Sequence, residues 1–139
     1  VIVLETDVIV SALLSPDGPP AEIIDRWEAG EFEVAISPPL LAELERGLQY
    51  PRVQAYLKRS RDEVAAFVER FRRVATVVDP QLTVDVIDQD PAANRVLECA
   101  VAGSADTIVI GDGHLLGLKA YRGIVVLRPA ELLALLRLS

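Results

Sequence analysis

Residues Val1–Pro16 read VIVLETDVIVSALLSP, and the interpretation of this stretch decides the fold. Val1 to Leu4 have the short, apolar, β-branched character of a strand buried on both faces. They run straight into Glu5, Thr6 and Asp7, after which the apolar pattern resumes at Val8, Ile9 and Val10. A carboxylate at the edge of a core costs on the order of several kcal/mol unless it is paired, hydrated or bound to a cation. Two of them directly after a buried strand therefore require a chemical reason.

Working outward, the strand signature recurs at Phe32 to Ile36, Ala75 to Val78, Thr107 to Ile110 and Ile124 to Leu127. Helical patterns lie between: Ala21 to Ala29, Pro38 to Leu48, Val53 to Lys58, Arg61 to Arg73, Pro91 to Ala102 and Pro129 to Leu138. Ser37 before Pro38 and Asp90 before Pro91 each read as an N-cap followed by proline in the first turn. This alternation predicts an α/β protein with three α/β/α layers and a mostly parallel central sheet.

At 139 residues, 51% hydrophobic and 25% charged, the chain has material for a single domain over residues 1–139 and is too apolar for a disordered tail. Cys99 has no second cysteine to pair with, and no signal peptide, lipidation motif or apolar run of about twenty residues occurs. The expectation is a soluble cytoplasmic protein with no membrane partner. The absence of Met reads as a chain that starts just after its initiator.

A net charge of -7 argues against a nucleic-acid partner until its distribution is considered. The segment Arg46 to Arg73 holds eight of the 14 basic residues and only three acids, so it carries +5 while the remainder carries -12. One reading is a solvated helical face; the other is a phosphate-contacting arm, with Arg46, Arg52, Lys58 and Arg59 as its phosphate-binding residues, beside an acidic cleft.

In parallel α/β sheets ligands bind beyond the carboxyl ends of the strands. Glu5 and Asp7 follow the first strand, and Gly111 and Asp112 follow Thr107 to Ile110. Asp90, Asn94 and Glu98 recur at four-residue spacing and share a helix face. Glu43 sits between Leu41 and Leu44, near an apolar seam where an acid is unexpected. Converging carboxylates are tolerated mainly around a divalent cation, and hard oxygen donors suit Mg²⁺ or Mn²⁺ better than Zn²⁺. Asp7 and Asp90 have an alternative as helix caps, and Asp112 as a turn residue. His114, the lone histidine, makes neither a zinc site nor a triad, and Cys99 and Trp27 read as packing residues. No GxSxG, P-loop or GxGxxG pattern is present.

Four segments taken together, LETDVIVSALLSPDGPPAEII, ISPPLLAELERGLQYPRV, DQDPAANRVLECAVAGSADTIVIGDGHLL and YRGIVVLRPAELL, resemble the PIN-domain family, specifically its branch of VapC-like toxins from bacterial toxin-antitoxin pairs. The resemblance implies a metal-dependent ribonuclease with a PIN-like fold, a cognate antitoxin protein as partner and a homodimer. It places the family's catalytic acids on Glu5, Glu43 and Asp112, with Asp7, Asp90 and Asn94 as further residues around Mg²⁺ or Mn²⁺. Two departures stand out. The family's Asp-Thr-Asn becomes Glu5-Thr6-Asp7, and its Asp-Pro-Asp-Asp-Asn becomes Asp90-Pro91-Ala92-Ala93-Asn94. The usual helix-borne aspartate falls on Ala93, which leaves two outcomes: Asp90, Asn94 or Glu98 partly replaces it, or the metal site is weakened. A phosphoacceptor receiver fits less well, because Ala75 to Val78 leads to Asp79-Pro80 and Ile124 to Leu127 leads to Arg128 where a receiver needs a lysine.

Overall fold

A computed structural model describes residues 1–57, 59–87, 90–111 and 114–138, with only the backbone of His114. The opening stretch resolves into two elements. Strand β1 (Ile2–Leu4) is buried along its length, and the chain turns at Glu5 directly into helix α1 (Thr6–Leu14). Only Asp7 and Ser11 of α1 are exposed, one turn apart, so the helix hides its period behind apolar residues on nearly every side. Its β-branched run therefore gives no amphipathic signal, and sequence reading passes over it.

The chain continues through α2 (Pro19–Glu28), β2 (Val34–Ile36), α3 (Pro38–Gln49), α4 (Pro51–Tyr56), α5 (Arg61–Val74) and β3 (Thr76–Val77). It then forms α6 (Pro91–Ala102), β4 (Thr107–Val109), α7 (His114–Leu118), β5 (Ala120–Tyr121), β6 (Ile124–Leu127) and α8 (Pro129–Arg137). The expected strands all appear, Ile124 to Leu127 with the expected bounds and the others trimmed; α1, α7 and β5 are additional. Ser37 and Asp90 stand at the expected N-cap positions, but the Ser37 hydroxyl makes no capping hydrogen bond. Ser60 and Glu63 form a reciprocal capping box on α5, and Asp90 caps α6 by accepting the Ala93 N–H. Arg122 and Gly123, both at positive φ, make the two-residue turn that folds β5 back on β6.

The sheet runs β3-β2-β1-β4-β6-β5, parallel except for the β5 edge. Stepping outward from β1 to β2 to β3, right-handed crossovers place α1 to α5 on one face; the return past β2 and β1 to β4 places α6 on the other. The three-layer, mostly parallel expectation is thus met. Gly103, just past α6, lies so close to β2 that a Cβ there would sit 2.8 Å from that of Ala35. Cys99 is buried in α6, and burial pushes its thiol up to about 12. Trp27 packs on Phe71 with ring centroids 4.7 Å apart, as a packing residue should. Among the described residues no helix is long and apolar enough to cross a membrane.

Candidate functional site

β1 and β4 are neighbours from which the chain departs in opposite directions, so a crevice opens beyond their carboxyl ends. Glu5 sits there. Its N–H donates to the Val109 carbonyl at 2.9 Å, tying the end of β1 to the end of β4. Its side chain is largely buried, and Oε1 has no hydrogen-bond partner among the described residues. Burial raises the Glu5 pKa from 4.5 to about 8; Asp7 adds to the rise, a hydrogen bond from the Gly111 N–H opposes it, and Glu43 and Asp90 add further. Glu5, Asp7, Glu43 and Asp90, three segments apart in sequence, therefore share one electrostatic field.

Glu43 is fixed by a residue that sequence reading missed. Thr6, 3% exposed at the start of α1, donates its hydroxyl to Glu43 Oε1 at 2.8 Å. The signal was available in principle, since a threonine between two acids at a strand end has little reason to be buried without a partner. Gly47, one turn beyond Glu43, faces Val10, one turn beyond Thr6, so α1 and α3 run side by side away from the crevice.

The shared face of α6 is present, but most of it looks elsewhere. Asn94, 2% exposed, accepts the N–H groups of Val86 and Ile87 on Oδ1 and donates Nδ2 to the Ile87 carbonyl. Glu98 accepts the Val84 N–H at 2.8 Å and pairs with Arg95 at 2.9 Å, while Arg95 also donates to the Val84 carbonyl. These two side chains latch residues 84–87 onto α6, which removes both from the donors free to hold a metal. Asp90 remains at the mouth of the crevice as the cap of α6, and Ala93, 3% exposed, fills the position where the resemblance expects an acid. Asp112 lies outside the described residues, directly after Gly111, as does the side chain of His114.

Among the described residues no three His, Cys, Asp or Glu side chains converge into a metal-binding group. The residues present still suit a hard cation. All are carboxylates, and one of their oxygens, Glu5 Oε1, is buried without a donor, the situation a cation relieves.

The basic segment divides. Arg70 pairs with Glu28 at 2.9 Å and Arg72 pairs with Glu45, so these two serve the fold. Arg46, exposed one turn after Glu43, and Arg52 on α4 have no acidic partner among the described residues; Arg59 precedes α5 and lies in the field of Glu63. Lys58 lies outside the described residues.

The family model described as PIN domain matches residues 1–114. The chain belongs to the PIN-domain family. This PIN domain is 26% identical over 118 residues to the uncharacterised protein MJ1680 of Methanocaldococcus jannaschii, an alignment covering 85% of this chain and 74% of that protein. No solved structure matches. PIN domains are generally nucleases that use divalent metal ions, the chemistry to which the carboxylates of the crevice are suited.

Proposed function

We propose that this PIN domain is a metal-dependent ribonuclease of the cytoplasm that hydrolyses RNA phosphodiesters with Mg²⁺ or Mn²⁺, and that it is the toxin of a toxin-antitoxin pair. The observation that carries the nuclease reading is the buried, partnerless Glu5 Oε1, surrounded by other carboxylates at the point where the sheet changes direction. Glu5 and Asp112 hold the cation, with Glu43, held by Thr6, as the third acid and Asp7 and Asp90 at the rim. A bound divalent cation supplies Lewis acidity toward water and toward the phosphodiester oxygens. The Gly111 N–H orients the Glu5 carboxylate, and the apolar ends of β1 and β4 keep bulk water from the floor of the crevice. Arg46, Arg52, Lys58 and Arg59 draw in flanking phosphates that the acids alone would repel. The toxin role, a cognate antitoxin and a homodimer rest on the resemblance to VapC-like toxins.

A second reading has its own support. Ala93 buries a methyl group where the family's helix acid belongs, which favours a diverged PIN domain with a weakened metal site that binds RNA or a protein. Cleavage of an unstructured RNA across a Mn²⁺ titration separates the two. The nuclease reading expects metal-dependent cleavage by the parent, its loss in Glu43→Gln, and faster cleavage with tighter Mn²⁺ binding in Ala93→Asp. A parent that binds RNA without cleaving it at any Mn²⁺ concentration, while Ala93→Asp acquires activity, establishes the weakened site instead. Cleavage undiminished in Glu43→Gln removes Glu43 from the site.

A further inference from the structure

Helix α4 is unusual in that none of its six residues is buried. It is held at its N-terminal end, where the Val53 and Gln54 N–H groups donate to the Tyr50 carbonyl and Gln54 Nε2 donates to that of Leu48, and by Val53, half-buried against the core. On this projecting turn the chain places two of its three tyrosines, Tyr50 at 56% and Tyr56 at 71% exposure. Beside it a groove of about 660 Å³ runs between α3 and α5. Leu48, Leu57, Val64 and Val68 give the groove an apolar floor, and Arg46, Arg59 and Arg61 stand on its rim. The rim acid Glu45 is already paired with Arg72, which leaves Glu69 as its acidic counterpart, whereas Arg46 and Arg61 have no acidic partner among the described residues.

The groove connects to the crevice along α3. Glu43 and Arg46 fall at i and i+3 of α3 and Tyr50, at i+7, caps its end, a stripe about 10 Å long at ~1.5 Å per residue. A ligand lying on that stripe reaches from the carboxylates to the tyrosines. Neither tyrosine lines the groove; both stand exposed next to it in the chain, with the unpaired Arg52 between them in sequence and Arg46 and Arg61 on the groove itself, and exposed rings beside unpaired arginines suit a chain of flat rings joined by anions, as single-stranded RNA is. Duplex RNA keeps its bases stacked inside and offers these rings nothing to stack on. A protein partner that used the same floor and arginines would leave oligouridine unbound.

We propose that Tyr50 and Tyr56 are base-stacking platforms for single-stranded RNA, with Arg46, Arg52 and Arg61 on the phosphates between them. The inference rests on the ribonuclease reading for the identity of its ligand, and its test needs no cleavage. Binding of a short fluorescein-labelled oligouridine is followed by anisotropy in chelator, for the full chain and for Tyr50→Ala, Tyr56→Ala and the two Tyr→Phe variants, with a labelled RNA duplex alongside. Each alanine variant is expected to weaken oligouridine binding about tenfold, within the range for a lost base stack. The phenylalanine variants, which keep the ring, are expected to bind as the parent does, and the duplex to bind more weakly than the single strand. Parent-like affinity in both alanine variants, or equal affinity for duplex and single strand, overturns the platform even where the parent cleaves RNA. Ring-dependent binding by a protein that cleaves nothing in Mn²⁺ upholds the platform while the nuclease reading falls. A parent with no affinity for oligouridine overturns it and returns the groove to a protein partner.

Discussion

The crevice at the ends of β1 and β4 and the arm formed by α3, α4 and α5 are both charged, but they are held in opposite ways. In the crevice the acids other than the exposed Asp7 are held by the interior: Glu5 by the Gly111 N–H, Glu43 by the buried Thr6 hydroxyl, and the approach to Asp90 by the Asn94 and Glu98 latch on residues 84–87. On the arm, Arg52, Tyr50 and Tyr56 are exposed, and α4 buries none of its residues. Chemistry that depends on position is assembled on strand ends and buried helix starts, where packing leaves a side chain few alternatives. Adaptable contacts to a flexible ligand are carried on short exposed helices, where a change of rotamer costs little. The same substitution type should therefore have very different consequences in the two places.

The largest expected difference is in the response to pH. The Glu5 carboxyl is raised from 4.5 to about 8, so across that interval the folded metal-free protein holds a proton that the unfolded chain has released. Its stability should fall as pH rises through the interval, by up to about 1.4 kcal/mol per pH unit, and level off above it. Glu5→Gln should abolish this slope and make the metal-free protein more stable than the parent at alkaline pH. Urea unfolding in chelator at a series of pH values checks it; an unchanged slope in Glu5→Gln places the responsible group elsewhere.

Next comes the latch. Asn94→Ala removes the buried side-chain partner of the Val86 and Ile87 backbone groups, which lie on an exposed and a half-buried residue, and should cost about 1–3 kcal/mol, with faster amide exchange at those two residues. A melting temperature equal to the parent's would make the segment indifferent to its anchor and erase the contrast. The smallest effect belongs to the arm. Arg52→Ala should change stability by less than about 0.5 kcal/mol while lowering the salt dependence of single-stranded RNA binding by roughly 0.7 in slope. A salt dependence that stays the same returns Arg52 to an ordinary solvated surface.

The framework of this fold was legible because its signals are local. Ser37-Pro38 and Asp90-Pro91 announce helix starts, and the short β-branched runs announce strands, so the order of elements and the parallel sheet follow from nearest-neighbour chemistry. Elements without a local signature were missed. α1 is apolar on nearly all sides, and α7 and β5 are too short to show a period. The same distinction governs the site. Glu5 and Glu43 stood out as acids in apolar surroundings, and the structure places both at the crevice. The common face of Asp90, Asn94 and Glu98 was also visible, but what Asn94 and Glu98 face was not, because residues 84–87 are irregular and carry no pattern that fixes where they pack. Thr6 escaped notice because its partner lies 37 residues away. Spacing shows which residues share a face; it does not show what the face meets.

The pairing of β1 with β4 also governs when the crevice can exist during synthesis. Ile2, Val3 and Leu4 lie against Thr107, Ile108 and Val109, and Glu5 is closed in by Gly111, so β1 waits for segments translated more than a hundred residues later. Glu43 can meet Thr6 early, because α1 and α3 are made in sequence, but the oxygen of Glu5 is not enclosed until β4 has left the ribosome. A nascent chain therefore carries its acids dispersed and solvated. The nuclease site proposed for this crevice is complete only once β4 has emerged to close it.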